Sequence, residues 1–125
     1  MAEHNELGRM GESMAVEYLA KEGYDIIKRN FRFNKIEVDI IAMQNDLLIA
    51  FEVKTRSTKD YGDPQGFVKP DQIKRLVKAM DHFVESNGLD VEVRFDIIAL
   101  VKQQNGFELE HLKNAFYHFP KKIMR

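Results

Sequence analysis

The 125-residue sequence contains no cysteine and no long hydrophobic run. Without cysteine the chain has no disulfide framework, zinc–thiolate site or thiol nucleophile, and it is compatible with a reducing compartment. The longest apolar runs, such as residues 47–51, are far shorter than the roughly 20 residues of a membrane-spanning helix. The first residues are polar and acidic, unlike a secretory signal. We therefore expect a cytoplasmic protein with no membrane partner.

An excess of one charge sign is also absent, since 19 Lys and Arg face 20 Asp and Glu, for a net charge of -1. This balance excludes a uniformly basic nucleic-acid binder. The distribution is uneven, however: residues 1–53 hold ten acids and six bases, whereas residues 54–80 hold seven bases and three acids. Such alternation is typical of solvated faces, and it bears on function only if reactive groups lie nearby.

Linkers, repeats and low-complexity tracts are missing as well. A composition of 44% hydrophobic and 31% charged residues is that of a globular protein with a core. The sequence therefore predicts a single domain over residues 1–125.

Apolar spacing predicts two helices and five strands. Apolar side chains recur every three or four residues over 5–22, where Gly23 ends the helix, and again from Pro70 until Asn87. Strands are expected over residues 24–33, 36–43, 47–55, 91–101 and 107–112. The strand, helix, strand unit from 47 to 101 requires a right-handed parallel crossover. The pattern indicates an α/β protein with a mixed sheet.

Four charged residues interrupt the apolar hairpin: Glu37, Asp39, Glu52 and Lys54. Alternation along a strand places Glu37 and Asp39 on one face, and Glu52 and Lys54 on one face. With a two-residue turn, the register sets Asp39 opposite Glu52 and Glu37 opposite Lys54. Opposed Cβ atoms lie roughly 4.5–5.5 Å apart, so two carboxylates can converge on one divalent cation.

The same residues permit a structural interpretation. Asp39 or Glu37 could form a salt-bridge cluster with Lys54 and Arg56. Two unneutralised carboxylates in an apolar hairpin would repel each other and resist burial, which favours a metal. Both interpretations stay open from the residues alone.

Asp39, twelve intervening residues and Glu52-Val53-Lys54 resemble the D…(D/E)xK core of the restriction-endonuclease-like nucleases. More closely, the chain resembles the YraN family, small bacterial proteins related to Holliday junction resolvases. The stretches that carry the resemblance run in order along the chain: Gly8-Arg9-Met10-Gly11-Glu12, Tyr18-Leu19, Gly23-Tyr24, Arg29-Asn30, Glu37-Val38-Asp39-Ile40-Ile41-Ala42, Phe51-Glu52-Val53-Lys54-Thr55-Arg56, Tyr61-Gly62, Arg94-Phe95-Asp96 and Asn114-Ala115-Phe116. The resemblance implies a restriction-endonuclease-like three-layer fold, with a mixed central sheet of about five strands flanked by helices.

The resemblance also implies a metal-dependent endonuclease that hydrolyses phosphodiester bonds of DNA, branched or structured DNA included. Asp39 and Glu52 would hold Mg²⁺ or Mn²⁺, with no organic cofactor. Lys54 would orient or deprotonate a water, or stabilise charge on the phosphate. Glu12 corresponds to the family's first-helix Glu, although a solvated Glu at this helix border is equally expected.

Residues outside the hairpin complete the expected site. Arg56, Lys74 and Lys78 are candidates for phosphate contacts, although helix lysines are often merely solvated. Gln72 is the fourth residue expected to contact nucleic acid; it departs from the lysine that family members often carry on the second helix, and glutamine can serve there in related nucleases. The alternative function is a non-catalytic nucleic-acid-binding module on the same fold. DNA is the expected partner, the residues do not distinguish it from RNA, and resolvase relatives imply a homodimer.

Overall fold

The computed structural model describes residues 6–57 and 69–115; Tyr61, Gly62 and Phe116 lie outside these ranges. The elements in chain order are α1 (Glu6–Lys21), β1 (Asp25–Phe33), β2 (Ile36–Gln44), β3 (Leu47–Arg56), α2 (Pro70–Ser86), β4 (Glu92–Gln103) and β5 (Gly106–Leu112). Every helix and strand predicted from the sequence is confirmed, with its ends displaced by no more than a few residues. Neither described helix is long and apolar enough to cross a membrane.

The described strands form one sheet in the order β1-β2-β3-β4-β5. Strands β3 and β4 are parallel, and the other neighbours are antiparallel. Helix α2 makes the crossover between the two parallel strands, as the strand, helix, strand pattern requires. This mixed sheet with its two helices has the three-layer arrangement of a restriction-endonuclease-like fold.

Two separate apolar cores hold the helices on the sheet. The α1 core joins Ala15 and Leu19 to inward residues of the central strands, among them Ile40, Phe51, Ile98 and Leu100. The α2 core joins residues of the second helix to the opposite face of the sheet, among them Ile73, Met80, Val38, Leu48 and Ile97. Burial on both faces explains why the hairpin strands are apolar at odd and even positions alike.

The β2–β3 hairpin has the register that its turn predicts. Gln44 pairs with Leu47 and Ile40 pairs with Phe51, the two ends of an unbroken ladder. Asn45 occupies the turn with φ 57°, a left-handed conformation that asparagine tolerates better than most residues. The hairpin therefore fixes where the charged residues beyond Ile40 and Phe51 emerge.

Candidate active site

A cleft of about 760 Å³ opens beyond the last paired row of β2 and β3. Residues of α1, β2, β3 and α2 line it, together with the end of β1. Its charged lining, among the described residues, consists of Glu12, Glu37, Asp39 and Glu52, with Arg32, Lys35, Lys54, Arg56 and Arg75. Acidic residues from three elements thus meet, in a single cleft, cations from three elements and from the turn between β1 and β2.

Asp39 lies where β2 separates from β3. Its carboxylate Oδ2 accepts a hydrogen bond from the backbone N–H of Val53 at 2.8 Å, beyond the last paired row of the ladder. Burial and the nearby Glu52 carboxylate raise the pKa of Asp39 to about 8, and Glu12 and Glu37 act in the same direction, against the Val53 hydrogen bond. A metal-free Asp39 is therefore held in an environment that disfavours its ionised form.

Glu52 is 8% exposed and faces α2. Its Oε2 accepts hydrogen bonds from Gln72 Nε2 at 3.1 Å and from Lys54 Nζ at 3.1 Å. Burial raises the pKa of Glu52, and the contacts with Lys54 and Gln72 oppose that rise. One oxygen of the carboxylate is thus engaged by two donors, on the side of the helix.

Lys54 and Glu37 are not partners, so the predicted pairing of these residues is wrong. Lys54 Nζ binds Glu52 on its own strand, as expected of residues two apart on one face. Glu37 Oε2 accepts a hydrogen bond from Asn30 Nδ2 at 2.9 Å, and Oε1 lies 3.5 Å from Arg32 NH2. Regular pairing of β2 with β3 ends one row before Asp39 and Glu52, so no ladder pair joins these residues, although their carboxylates are close enough to interact electrostatically.

The alternation of faces along β2 is broken at Asp39. Val38 packs in the α2 core, whereas Ile40 packs in the α1 core, although residues two apart in a regular strand share a face. The prediction that Glu37 and Asp39 share one face assumed unbroken alternation, which β2 does not have at Asp39; both residues nevertheless line the same cleft. Glu37 instead contacts β1, and Asp39 turns to the gap beside β3.

Glu12 lines the cleft, where the close approach of α1 to β3 places it. Gly11 packs so tightly on Thr55 that a Cβ atom at Gly11 would overlap the threonine hydroxyl. The Glu12 side chain is only 15% exposed and its Oε1 lies 3.3 Å from Asn30 Nδ2 and 3.9 Å from an Arg29 nitrogen. Such burial is unlike a solvated helix Glu, the alternative that the sequence left open.

The four residues expected to contact nucleic acid divide into two pairs. Arg56 and Gln72 line the cleft. Lys74 and Lys78 are exposed on α2 and are not among the described residues that line it. Their placement favours the solvated alternative for both lysines.

Three cleft cations were missed by the sequence reasoning: Arg32, Lys35 and Arg75. A signal for Arg75 existed, because residues three apart on a helix share a face and Arg75 follows Gln72 by three. Arg32 and Lys35 lie at the end of β1 and in the following turn, past the row at which β2 changes face. Regular alternation gave no indication of that change.

The donor set of the cleft fits a hard divalent cation. Within residues 6–57 and 69–115, no three His, Asp or Glu side chains converge closely enough to hold a metal by themselves. Magnesium commonly takes one or two protein carboxylates and completes its shell with water and phosphate oxygens. Asp39 and Glu52 match that requirement, because the surroundings of each raise its carboxyl pKa and a cation would stabilise both ionised forms.

A second buried carboxylate, Asp96, lies outside the cleft. It accepts two hydrogen bonds from Arg94, at 2.9 and 2.8 Å, one from His111 Nε2 at 2.8 Å, and one from the backbone N–H of Asn114 at 3.0 Å. Burial would raise the pKa of Asp96, but the His111 and Arg94 contacts lower it below its usual range. This cluster ties β4, β5 and the turn after β5 together, so the Arg94-Phe95-Asp96 stretch has a structural role.

Comparison with known proteins shows one family along most of the chain. The sequence profile of the uncharacterised protein family UPF0102 matches residues 11–100. A UPF0102 protein of Christiangramia forsetii is 59% identical over 119 residues, which is 95% of this chain and 100% of that protein. The UPF0102 protein FP2501 of Flavobacterium psychrophilum is 55% identical with the same coverage, and the UPF0102 protein BF0634 of Bacteroides fragilis is 47% identical over 94% of this chain and 97% of that protein.

Proposed function

This chain belongs to the UPF0102 family, and from the cleft that it carries we propose that it is a metal-dependent nuclease that hydrolyses phosphodiester bonds of DNA in the cytoplasm. The observation that carries the proposal is the pair formed by Asp39, which is half-buried, and Glu52, which is buried. Both line a charged cleft, and Lys54 binds Glu52. The likeness to the D…(D/E)xK nucleases supports it.

Asp39 and Glu52 would hold the cation, Mg²⁺ or Mn²⁺, which would supply stabilisation of the charge developing on phosphate and lower the pKa of a water. Both side chains are fixed before any ligand arrives. Val53 N–H holds Asp39, while Gln72 and Lys54 hold one oxygen of Glu52. Such pre-arranged ligands avoid the reorganisation that a flexible pair would require.

Lys54 would act on the attacking water or on the charge of the phosphate. Its Nζ lies 3.1 Å from Glu52 Oε2 and its side chain lines the cleft. From there the ammonium can orient the attacking water or donate a hydrogen bond to a phosphate oxygen. The water or phosphate would compete with Glu52 for the Lys54 ammonium, so metal binding by Glu52 and the action of Lys54 would affect each other.

Substrate binding is assigned to the cations around the carboxylates. Arg32 and Lys35 line the cleft from the β1–β2 end, Arg75 from α2 and Arg56 from β3. Phosphate contacts from several sides position a nucleic acid without reading its sequence. A local cluster of this kind reconciles a polyanionic substrate with a chain whose net charge is -1.

The test is a cleavage assay of the purified protein on duplex, single-stranded, flapped and four-way-junction DNA and on RNA, with and without Mg²⁺ or Mn²⁺. We expect cleavage of at least one DNA substrate only when metal is present, and loss of cleavage in Asp39→Ala. Binding without cleavage on every substrate would favour the non-catalytic module. Absence of binding at low salt would refute both, and light scattering in the same buffers tests the predicted homodimer.

A further inference from the structure

Asn30 has a left-handed backbone in the middle of a strand. Its φ is 54°, although it lies well inside β1. Non-glycine residues rarely adopt this conformation, and asparagine is one of the few that tolerate it. Asn34 and Asn45 are also left-handed, each with φ 57°, but both occupy turns between strands, where such a conformation is common. The conformation of Asn30 therefore needs a separate explanation.

The position opposite Asn30 on β2 is Asp39. The ladder pairs Arg29 with Ile40 and Phe31 with Val38, and the row between them is not a regular pair. On one side of this row Ile40 packs in the α1 core, and on the other side Phe31 and Val38 pack in the α2 core. Both strands therefore change face at the same row.

This change of face has a direct consequence for Asp39. In an unbroken strand, a residue between Val38 and Ile40 would project to one side of the sheet. At the break, the Asp39 carboxylate instead reaches the gap beside β3, where Val53 N–H donates to it at 2.8 Å. Asn30, the left-handed residue of β1, lies opposite Asp39 at this break.

The side chain of Asn30 makes a second connection to the cleft. Its amide nitrogen Nδ2 lies 2.9 Å from Glu37 Oε2 and 3.3 Å from Glu12 Oε1. An asparagine amide has two N–H donors, so one group can serve both carboxylates. Both of these acidic side chains line the cleft, and each is only 15% exposed. The amide thus spaces two like charges that would otherwise repel.

We propose that Asn30 is a positioning residue of the cleft, whose backbone directs Asp39 toward Glu52 and whose amide fixes Glu12 and Glu37; this rests on the proposed function in that Asp39 and Glu52 hold the cation. The two parts of Asn30 then have separate effects. The backbone conformation governs metal affinity, since it places a ligand. The amide governs turnover, since it places carboxylates that surround the ligands.

Two substitutions separate these effects. Asn30→Gly keeps the left-handed conformation and removes the amide, whereas Asn30→Ala removes the amide and disfavours the conformation. Asn45→Ala is the matched control, because it removes an asparagine with nearly the same φ from the turn at the far end of β2. The measurements are Mn²⁺ affinity by calorimetry, kcat and KM on the best DNA substrate, and hydrogen exchange of the Val53 amide.

Asn30→Gly should bind Mn²⁺ within about threefold of the wild type while kcat falls about tenfold and KM changes little, in line with the effect of outer-shell partners. Asn30→Ala should lose about tenfold in Mn²⁺ affinity and show faster exchange at Val53. Asn45→Ala should change none of these, whatever its loss of thermal stability. Wild-type affinity and unchanged Val53 exchange in Asn30→Ala would overturn the positioning role.

Failure of the proposed function gives a different result. If the wild type binds no Mn²⁺ and cleaves nothing, the metal assignment fails, whereas Val53 exchange still decides whether Asn30 directs Asp39. Faster Val53 exchange in Asn30→Ala but not in Asn45→Ala would then support the geometric role alone. Equal Val53 exchange in both variants would remove the positioning role as well.

Discussion

Gly11 of α1 lies so close to Thr55 of β3 that the glycine has no room for a side chain. The contact involves the hydroxyl and methyl-bearing carbon of a short β-branched residue, which cannot swing away as a long side chain would. Because Glu12 follows directly, the same contact sets how far the helix's acidic residue reaches into the cleft.

Gly11→Ala should therefore destabilise the fold even though alanine is the better helix former. Overpacking of this kind costs about 1–3 kcal/mol in free energy of unfolding, which urea denaturation measures. Ser13→Ala, at an exposed position of the same helix, should be nearly neutral. A more stable Gly11→Ala protein would show that α1 is free to shift on the sheet.

Asp39 makes the metal-free protein less stable as the pH rises. Its folded-state pKa is about 8, above the ordinary value of 3.8, so its contribution to stability is complete below pH 4 and is lost between pH 4 and 8. Asp39→Asn cannot ionise and keeps an acceptor for Val53 N–H. Thermal denaturation should show the variant gaining stability over the wild type across this range, by on the order of a few kcal/mol at pH 8.

Added Mg²⁺ should reverse that order, because it stabilises only the protein that binds it. At pH 8 the melting temperature of the wild type should rise with Mg²⁺ concentration, and that of Asp39→Asn should not. Asp46→Asn, in the exposed turn of the hairpin, should behave as the wild type in both experiments. If stability depended on pH in the same way in Asp39→Asn and Asp46→Asn, the pKa of Asp39 would not be raised in the folded protein.

Much of this fold follows from patterns visible in the sequence. The helices were predictable because apolar spacing and end signals such as Gly23 and Pro70 agree, and the hairpin register because Asn45 and Asp46 form a two-residue turn. Such features depend on neighbours in the sequence, so local rules capture them.

The shape of the site was less predictable, because it depends on a departure from regular geometry. The Asp39 carboxylate reaches β3 beside Glu52 at the row where β1 and β2 change face, next to Asn30. The local sequence does not predict this change of face, because an asparagine in a strand-like stretch more often indicates a turn. The cations at the β1–β2 end escaped notice for the same reason, whereas Arg75 was within reach of helical spacing.

Lys54→Met should abolish cleavage while leaving the protein folded. Removal of a charge that acts on the reacting phosphate or water commonly lowers kcat by about 100-fold or more. Metal affinity should be retained or increased, because the ammonium beside Glu52 no longer competes with the cation. Lys74→Met, on the exposed face of α2, should cleave at the wild-type rate. Equal activity of the two variants would exclude Lys54 from the chemistry.

Arg75 and Lys78 provide a matched pair for substrate binding, since only the first lines the cleft. Arg75→Ala should weaken DNA binding and reduce the slope of log affinity against log salt by about one, the effect of one lost phosphate contact. Lys78→Ala should leave both nearly unchanged. Fluorescence anisotropy over a range of salt concentrations measures the two variants, and the reverse order would place the DNA on the outer face of α2.

The central claim is that Asp39 and Glu52 together hold one divalent cation. Crystals of the wild-type protein grown with Mn²⁺ test it through anomalous diffraction. We predict a single strong anomalous peak within coordinating distance of both carboxylates, absent from crystals of Asp39→Asn. A cleft without a peak at saturating Mn²⁺, or a peak that persists in Asp39→Asn, would contradict the account.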